Sequence, residues 1–183
     1  MRLYRQTVED FCLYAGMELD EMQLARLKTA AGEMSAKMRA VRIVAASSVS
    51  KGDLERRLVQ KGEDPSQAKA AVAWMSEMSL VDDRATAEQI VARCITKGYG
   101  LSRAKQVLYE KRIPKALWDE VLQDYPDQID KIMDFLDSRL GESPDQKTVK
   151  RAVDALLRRG HSYGNIRRAM QEMAMDPDEF PEG

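Results

Sequence analysis

One short pattern of leucine, cation and turn occurs three times along this chain of 183 residues. It lies in residues 54–62, 104–112 and 152–160, so that successive copies are separated by 50 and 48 residues. Each copy has a leucine followed three residues later by a cation: Leu58 and Lys61, Leu108 and Lys111, Leu156 and Arg159. A turn and a further stretch with apolar residues at helical spacing come after each copy. Such repetition predicts tandem helical units that stack to bury their apolar faces, which gives an elongated, curved array.

The residue types favour helices over strands throughout the chain. Only six prolines and ten glycines interrupt it, and strong helix formers such as Ala, Leu, Met, Glu and Lys dominate. The middle copy predicts three helices: one from Asp83 to Lys97, one capped by Ser102, and one starting at Pro114. We therefore predict an all-α fold, an elongated, curved tandem array of three three-helix repeats with an N-terminal helical extension.

The predicted domain boundaries follow these helical units. The three repeats and an acidic tail cover residues 35–80, 81–125, 126–175 and 176–183. Residues 1–34 form the extension, with two helices and, at Leu3–Tyr4, a segment compatible with a short strand. The second of these helices opens with a capping box of Asp20 and Gln23 and is expected to end near Gly32.

Several classes of function are disfavoured by what the sequence lacks. No stretch of about 18 apolar residues occurs, so we expect no membrane partner. Cys12 and Cys94 have no metal-ligand spacing and the lone His161 is expected to be structural, so we predict neither a metal site nor a disulfide framework. The pair Asp82–Asp83 could hold a divalent cation, but two acids at a helix start more often stabilise the helix dipole. Without a nucleophile–base pair, phosphate loop or carboxylate dyad, we predict a non-enzyme with no catalytic residues and no cofactor. Because the two cysteines suggest no disulfide framework, we expect a cytoplasmic location.

Charge is segregated along the chain, although the formal net charge is only -1. Residues 84–112 contain seven Lys or Arg against two acids, and residues 147–168 contain seven against Asp154 alone. The intervening residues 113–146 contain nine acids against three bases. Basic stripes of this kind can meet phosphate groups, and the alternative is a set of solvated helix faces.

The candidate partner-binding and DNA-binding residues are cations of all three repeats. They are Arg56, Arg57, Lys61, Lys97, Arg103, Lys105, Lys111, Arg112, Lys150, Arg151, Arg158, Arg159, Arg167 and Arg168. Lys and Arg beside a phosphate backbone release counterions, which makes binding strong at low salt and independent of base sequence. Tyr99, Tyr109 and Tyr163 lie next to cations and could stack on unpaired bases, and packing at repeat junctions is the alternative for Tyr99 and Tyr163.

Three stretches of the middle unit occur in a distinctive order. Leu80–Ala87 contains a double acid that opens a helix, Lys97–Gly100 is a Lys-Gly-Tyr-Gly turn, and Leu108–Ile113 ends a helix with leucine, lysine and isoleucine. In this order and spacing they resemble the central signature of the RecX family. Two positions depart from the family pattern: Thr86 stands where an aromatic is usual, and Arg112 stands where a glycine is usual. The second change removes an easy helix cap and adds a cation.

Other parts of the chain extend this resemblance. Residues 50–62 and 156–166 are similar to the family's first and third repeats, and residues 15–21 resemble the N-terminal region of RecX proteins from Gram-positive bacteria. The resemblance implies a modulator, most often an inhibitor, of the RecA recombinase. Such a modulator binds the groove of the RecA–single-stranded-DNA filament and limits its extension and its activity in recombination and SOS repair. It also implies direct, weak binding to single-stranded DNA in some members, and we expect a monomer.

Two other classes of function remain open. A helical DNA-binding protein, such as a transcription factor with a helix-turn-helix pair, would need a recognition helix with base-reading residues and usually a dimer. A repeat scaffold with another protein partner is the second alternative. The spread of the cations over three repeats favours a filament groove over a single major groove.

Overall fold

The computed structural model describes residues 3–141 and 144–175, and every regular element within those ranges is helical. The helices are α1 (Arg5–Asp10), α2 (Glu21–Ala46), α3 (Lys51–Gln60), α4 (Pro65–Glu77), α5 (Asp83–Thr96), α6 (Leu101–Glu110), α7 (Trp118–Leu122), α8 (Ile129–Arg139), α9 (Gln146–Arg158) and α10 (Tyr163–Glu172). A 3-10 turn, Lys115–Leu117, precedes α7. The all-α class is confirmed, with three helices in each repeat: α2 to α4, α5 to α7, and α8 to α10. The acidic tail predicted at 176–183 lies outside the described residues.

Two compact units make up the chain, one extending to Thr86 and the other beginning at Ala87. In the first unit, α2 packs along α4 and α3. Small side chains of α2, among them Ala36 and Ala40, are fully buried and allow the helices to approach closely. Leu54 and Leu58 of α3 are also fully buried, and burial of each stabilises the fold by about 2 kcal/mol.

The N-terminal extension differs from the prediction in two respects. Leu3–Tyr4 forms no strand and instead precedes α1. The capping box of Asp20 and Gln23 is confirmed, but the predicted helix end near Gly32 is wrong, because α2 continues without interruption. The boundary after residue 34 therefore falls inside a helix. Gly32 serves packing, since a Cβ there would lie 2.3 Å from the side-chain oxygen of Gln67 on α4.

The second helix of every repeat ends in the same backbone turn. A residue with left-handed backbone follows α3, α6 and α9. These residues are Gly62, Arg112 and Gly160, with φ angles of 90°, 53° and 85°. The next residue donates its backbone N–H to the carbonyl of the anchoring leucine: Glu63 to Leu58, Ile113 to Leu108, and His161 to Leu156. This arrangement satisfies carbonyls that a helix end leaves without partners, and its recurrence confirms the threefold repetition at the level of the backbone.

The second unit has two apolar clusters. Leu108 anchors one of them together with α5 and α7. The other joins α8, α9 and α10 through fully buried side chains such as Ile132, Leu136, Leu156 and Ile166. Within the described ranges, no helix combines the length and apolar character needed to cross a bilayer.

Of two helix N-caps predicted in this unit, Ser162 is confirmed and Ser102 is not. Ser162 caps α10 by accepting a hydrogen bond from the backbone N–H of Asn165 at 3.1 Å. The predicted Ser102 cap is wrong, because α6 begins two residues earlier, with Gly100 as its N-cap. The backbone N–H of Ser102 donates instead to the carbonyl of Gly160 at 3.2 Å. A neighbouring turn thus supplies an acceptor for one of the first N–H groups of α6, a role that the side chain of a capping residue has at other helix starts.

Candidate interaction surfaces

Two glycine-containing turns interlock between the second and third repeats. The backbone N–H of Gly100 donates to the carbonyl of Arg159 at 2.9 Å. A Cβ at Gly100 would lie 2.1 Å from the carbonyl oxygen of Gly160, and His161 Nε2 donates to the carbonyl of Gly98 at 3.0 Å. Glycine is required here because two backbones touch, so the Lys-Gly-Tyr-Gly turn joins repeats in addition to ending a helix.

Hydrogen bonds from partly buried and buried polar groups fix the same junction. Tyr125 Oη and Gln128 Nε2 both donate to the carbonyl of Tyr99, at 2.6 and 2.9 Å. Burial raises the pKa of Tyr125 to about 12, so it stays a donor. Burial lowers the pKa of His161, and the charge of Arg159 lowers it further, while the hydrogen bond to Gly98 opposes both. The ring of His161 is therefore held neutral inside the junction, in agreement with its expected structural role.

The paired arginines of α3 surround a buried carboxylate that the sequence-based interpretation overlooked. Asp53 is fully buried, Arg56 contacts its Oδ1, and Arg57 Nη2 lies 2.8 Å from its Oδ2. Burial alone would raise the pKa of Asp53, but the hydrogen bond from Arg56 and the charge of Arg57 lower it overall. Arg56 and Arg57 thus stabilise a charge inside the first repeat, which limits what they can offer a partner.

The exposed side of α9 is the most continuous basic surface among the candidate residues. Lys147, Lys150, Arg151 and Arg158 are all exposed. Their spacing of three, four and seven residues places them on one face of the helix, with the half-buried Asp154 among them. We name this set of four cations the α9 basic face. Lys147 was not among the candidate residues, although its helical register with Lys150 and Arg151 could have identified it.

A small cleft brings together side chains of the second and third repeats. Its volume is about 240 Å³, and its lining includes Lys97, Lys131, Asp134, Phe135 and Arg159. The guanidinium of Arg159 lies 4.9 Å from the centre of the Phe135 ring. Lys131 Nζ is 3.8 Å from Asp134 Oδ2, which is a loose ion pair between exposed groups. We call this the Arg159 cleft.

Sequence reasoning found only part of the Arg159 cleft. It identified Lys97 and Arg159, whereas Lys131 and Phe135 belong to α8, in a segment where acids outnumber bases. A second guanidinium, that of Arg139, lies 5.5 Å from the Phe135 ring centre. Only the tertiary structure places α8 beside the Lys97–Gly100 turn, so no pattern in the sequence pointed to this set.

The remaining candidate cations are dispersed. Lys61, Lys105, Lys111 and Arg112 are exposed, and Arg167 is half-buried. Arg103 Nη1 lies 3.5 Å from Glu110, and Arg168 Nε lies 3.0 Å from Glu172. These pairs are solvent-accessible and contribute little to stability, so they leave both arginines available to a partner. The binding role of the fourteen candidate residues stays a prediction.

Asp82 and Asp83 serve as helix caps. Asp82 Oδ1 accepts from the backbone N–H groups of Arg84 and Ala85, at 2.8 and 3.2 Å. Asp83 Oδ1 accepts from the backbone N–H of Lys51 at 2.7 Å. Among the described residues, no group of His, Cys, Asp and Glu side chains is arranged to hold a metal ion.

Comparisons with known proteins decide the family. No family model matches the chain. A "Regulatory protein RecX" from Stenotrophomonas maltophilia is 30% identical over 150 residues, which cover 80% of this chain and 90% of the relative. The chain belongs to the RecX family. A second RecX protein, from Chlorobaculum tepidum, is 30% identical over 136 residues, 72% of this chain and 84% of its own length. These RecX relatives are named as regulatory proteins and not as enzymes.

Solved RecX structures have the same fold. A "Crystal structure of regulatory protein RecX" matches with a TM-score of 0.71 at 19% identity, covering 93% of this chain and 86% of that one. The crystal structure of RecX from Lactobacillus salivarius matches with a TM-score of 0.67 at 18% identity, covering 79% and 98%. The two departures from the RecX pattern are accommodated in this chain. Thr86 is buried and its hydroxyl donates to the carbonyl of Val49 at 3.4 Å, while Arg112 adopts the left-handed backbone that a glycine would favour.

Proposed function

We propose that this RecX-family protein is a modulator, most simply an inhibitor, of the RecA recombinase. It binds the groove of the RecA–single-stranded-DNA filament and limits the extension of the filament and its activity in recombination and SOS repair. The α9 basic face carries this proposal, because four exposed cations on one helix face form a surface suited to a polyanionic assembly.

The use of charge elsewhere in the chain supports the choice of this face. Arg56 and Arg57 are already engaged with Asp53, so the first repeat has fewer cations to present. On α9 the half-buried Asp154 stands among the four cations, which leaves a strong positive excess. Binding through such a face depends on salt and is independent of base sequence, as a protein that acts along a whole filament requires.

A sequence-specific DNA-binding protein is the weaker candidate. Its recognition helix would need Asn, Gln or Arg side chains aimed at base edges in a major groove. The exposed side of α9 instead offers Lys and Arg in a row, which suits phosphate contact. The proposed partners are the RecA filament and, directly and weakly, single-stranded DNA. Acting on RecA implies a cytoplasmic protein, and we propose that it acts as a monomer.

The test measures RecA-catalysed ATP hydrolysis on single-stranded DNA with far less than one copy of this protein per recombinase. We expect inhibition by the wild-type chain. The triple variant Lys150→Glu, Arg151→Glu and Arg158→Glu should weaken filament binding by at least about tenfold, because like charges would meet the phosphates. These three residues are chosen because they are exposed and lie on one face of α9, whereas Arg159 packs on Phe135 and Arg168 belongs to α10.

A matched control changes three exposed cations of α2 by the same total charge: Arg26→Glu, Lys28→Glu and Arg42→Glu. This variant should inhibit as the wild-type chain does. Absence of inhibition by the wild-type protein with its cognate RecA contradicts the proposed function. Equal losses in both triple variants contradict the assignment to the α9 basic face.

A further inference from the structure

The Arg159 cleft combines fixed positive charge with a small volume. Lys97 and Lys131 are exposed, Arg159 is half-buried, and one acid, Asp134, faces them. In the described part of the chain, Arg159 has no carboxylate partner and instead lies on the face of Phe135. A guanidinium stacked on an aromatic ring keeps its N–H donors in its own plane, where they remain available to an oxyanion.

We infer that the Arg159 cleft binds a phosphodiester group of single-stranded DNA. This inference deepens the proposed function, since it names the site at which the chain meets the DNA strand of the filament. Arg159 donates a planar pair of hydrogen bonds, and Lys97 and Lys131 supply further positive charge from the lining of the cleft.

The size and chemistry of the cleft favour a phosphodiester over other ligands. Pockets for drug-sized molecules occupy roughly 300 to 1,000 Å³, and about 240 Å³ falls below that range. The net positive charge of the lining, three cations against Asp134, suits an oxyanion. Gly98 also borders the cleft, and a Cβ there would lie 3.5 Å from Cβ of Lys131, so this turn packs against α8.

The neighbourhood of the cleft favours a single strand. Tyr99 follows Lys97 and Gly98 directly, and Lys97 Nζ lies 5.9 Å from the centre of its ring. Alternating cations and aromatic rings are typical of surfaces that hold the backbone of a single strand while unpaired bases stack. A protein carboxylate in the cleft is the competing occupant, and the test includes it.

The experiment measures fluorescence anisotropy of a labelled oligodeoxythymidine, without RecA, over a series of salt concentrations. The variant Lys97→Gln with Lys131→Gln should bind more weakly. It should also reduce the slope of log affinity against log salt by up to about 1.4, since each single-strand phosphate contact contributes roughly 0.7. The control Lys28→Gln with Lys69→Gln removes the same charge from exposed positions of the other unit and should leave the slope unchanged.

A third variant tests the geometry of the cleft. Arg159→Lys keeps the charge but loses the planar fork, so affinity should fall several-fold while the salt slope stays near that of the wild-type chain. Circular dichroism of all variants checks that the helical content is unchanged.

The possible results separate this inference from the proposed function. The inference is overturned if the wild-type chain does not bind the oligonucleotide at low salt, or if both lysine double variants lose the same slope. It is also overturned if labelled polyglutamate binds through Lys97 and Lys131 and the oligonucleotide does not, because a protein carboxylate is then the ligand. RecA ATP hydrolysis, measured in parallel, reports on the proposed function, and lack of inhibition there leaves a positive DNA result intact.

Discussion

The second helix of the first repeat and that of the third repeat share one backbone plan and use charge in opposite ways. Both α3 and α9 have an anchoring leucine, a cation three residues later and a left-handed glycine. Five residues before the leucine, however, α3 has the buried Asp53 and α9 has the exposed Arg151. In α3, arginines pair with a buried carboxylate, whereas in α9 the cations of the basic face are exposed.

The residue after the left-handed glycine also differs in charge between the two repeats. In the first repeat it holds Glu63, a buried carboxylate that accepts from Ser35 Oγ at 3.0 Å and pairs with Arg39 Nε at 2.6 Å. In the third repeat it holds the buried, neutral His161. Two cations adjacent in sequence therefore do not by themselves define a binding surface. A buried acid nearby decides whether they belong to the interior.

The largest expected effect is the loss of stability when the buried carboxylate of the first repeat is removed. Asp53→Asn removes the carboxylate that Arg56 and Arg57 share, and leaves two half-buried guanidinium groups without this counter-charge. We expect the free energy of unfolding to fall by about 3 kcal/mol, measured by urea denaturation. The matched change on α9, Asp154→Asn, should cost less than about 0.5 kcal/mol. Equal effects of the two substitutions would show that the repeats do not differ in this way.

The two glycines provide a second test with a matched pair. Gly62 and Gly160 have similar φ angles, 90° and 85°. A Cβ at Gly62 meets open space, but a Cβ at Gly160 would lie 2.2 Å from the backbone nitrogen of Arg103. Gly62→Ala should cost about 1 kcal/mol of backbone strain, and Gly160→Ala about 3 kcal/mol because the junction must also separate. Thermal unfolding of both variants measures the difference, and a smaller cost for Gly160→Ala contradicts the close contact.

The middle repeat extends the comparison to a residue other than glycine. Arg112 has a φ of 53°, a left-handed backbone that is unfavourable for a residue with a Cβ. Arg112→Gly should therefore raise the free energy of unfolding by about 0.5 kcal/mol. Lys111 has an ordinary φ of -87°, close to the -89° of its counterpart Lys61 in the first repeat. Lys111→Gly should therefore lower the free energy of unfolding. A destabilised Arg112→Gly variant would indicate that contacts of this arginine outweigh the backbone strain.

The smallest effect concerns the buried histidine of the third repeat. The pKa of His161 is lowered in the folded protein, mainly by burial, from an ordinary value of 6.5. As the pH falls below 6.5, the unfolded chain takes up a proton that the folded chain resists, so stability decreases. The decrease should be smaller in His161→Gln, which retains a side-chain donor towards the carbonyl of Gly98. Urea midpoints at about pH 7 and about pH 5 measure this, and identical pH dependence in both proteins argues against the neutral ring.

Much of the fold was predictable from local sequence. The leucine, cation and turn pattern repeats because the same helix end is built three times, and capping signals such as Asp20 with Gln23 act within one turn. The predicted helix end near Gly32 failed because one glycine inside a helix costs only about 1 kcal/mol, and α2 packs along α4 with Gln67 next to this glycine. The Ser102 cap failed similarly, because the carbonyl of Gly160 takes its place. Local patterns cannot indicate which distant group will supply an acceptor or require space.

The sequence by itself determined the helical class, the three repeats and the segregation of charge, because propensity, periodicity and composition act over short distances. The tertiary structure alone decided which cations are available. Arg57 forms an ion pair with Asp53. Arg159 instead lies on the ring of Phe135 and shares a cleft with Lys131, a residue from an acidic stretch of the chain. The physical reason is that the energy of a charge depends on burial and on its neighbours in space, and both are set only when helices pack.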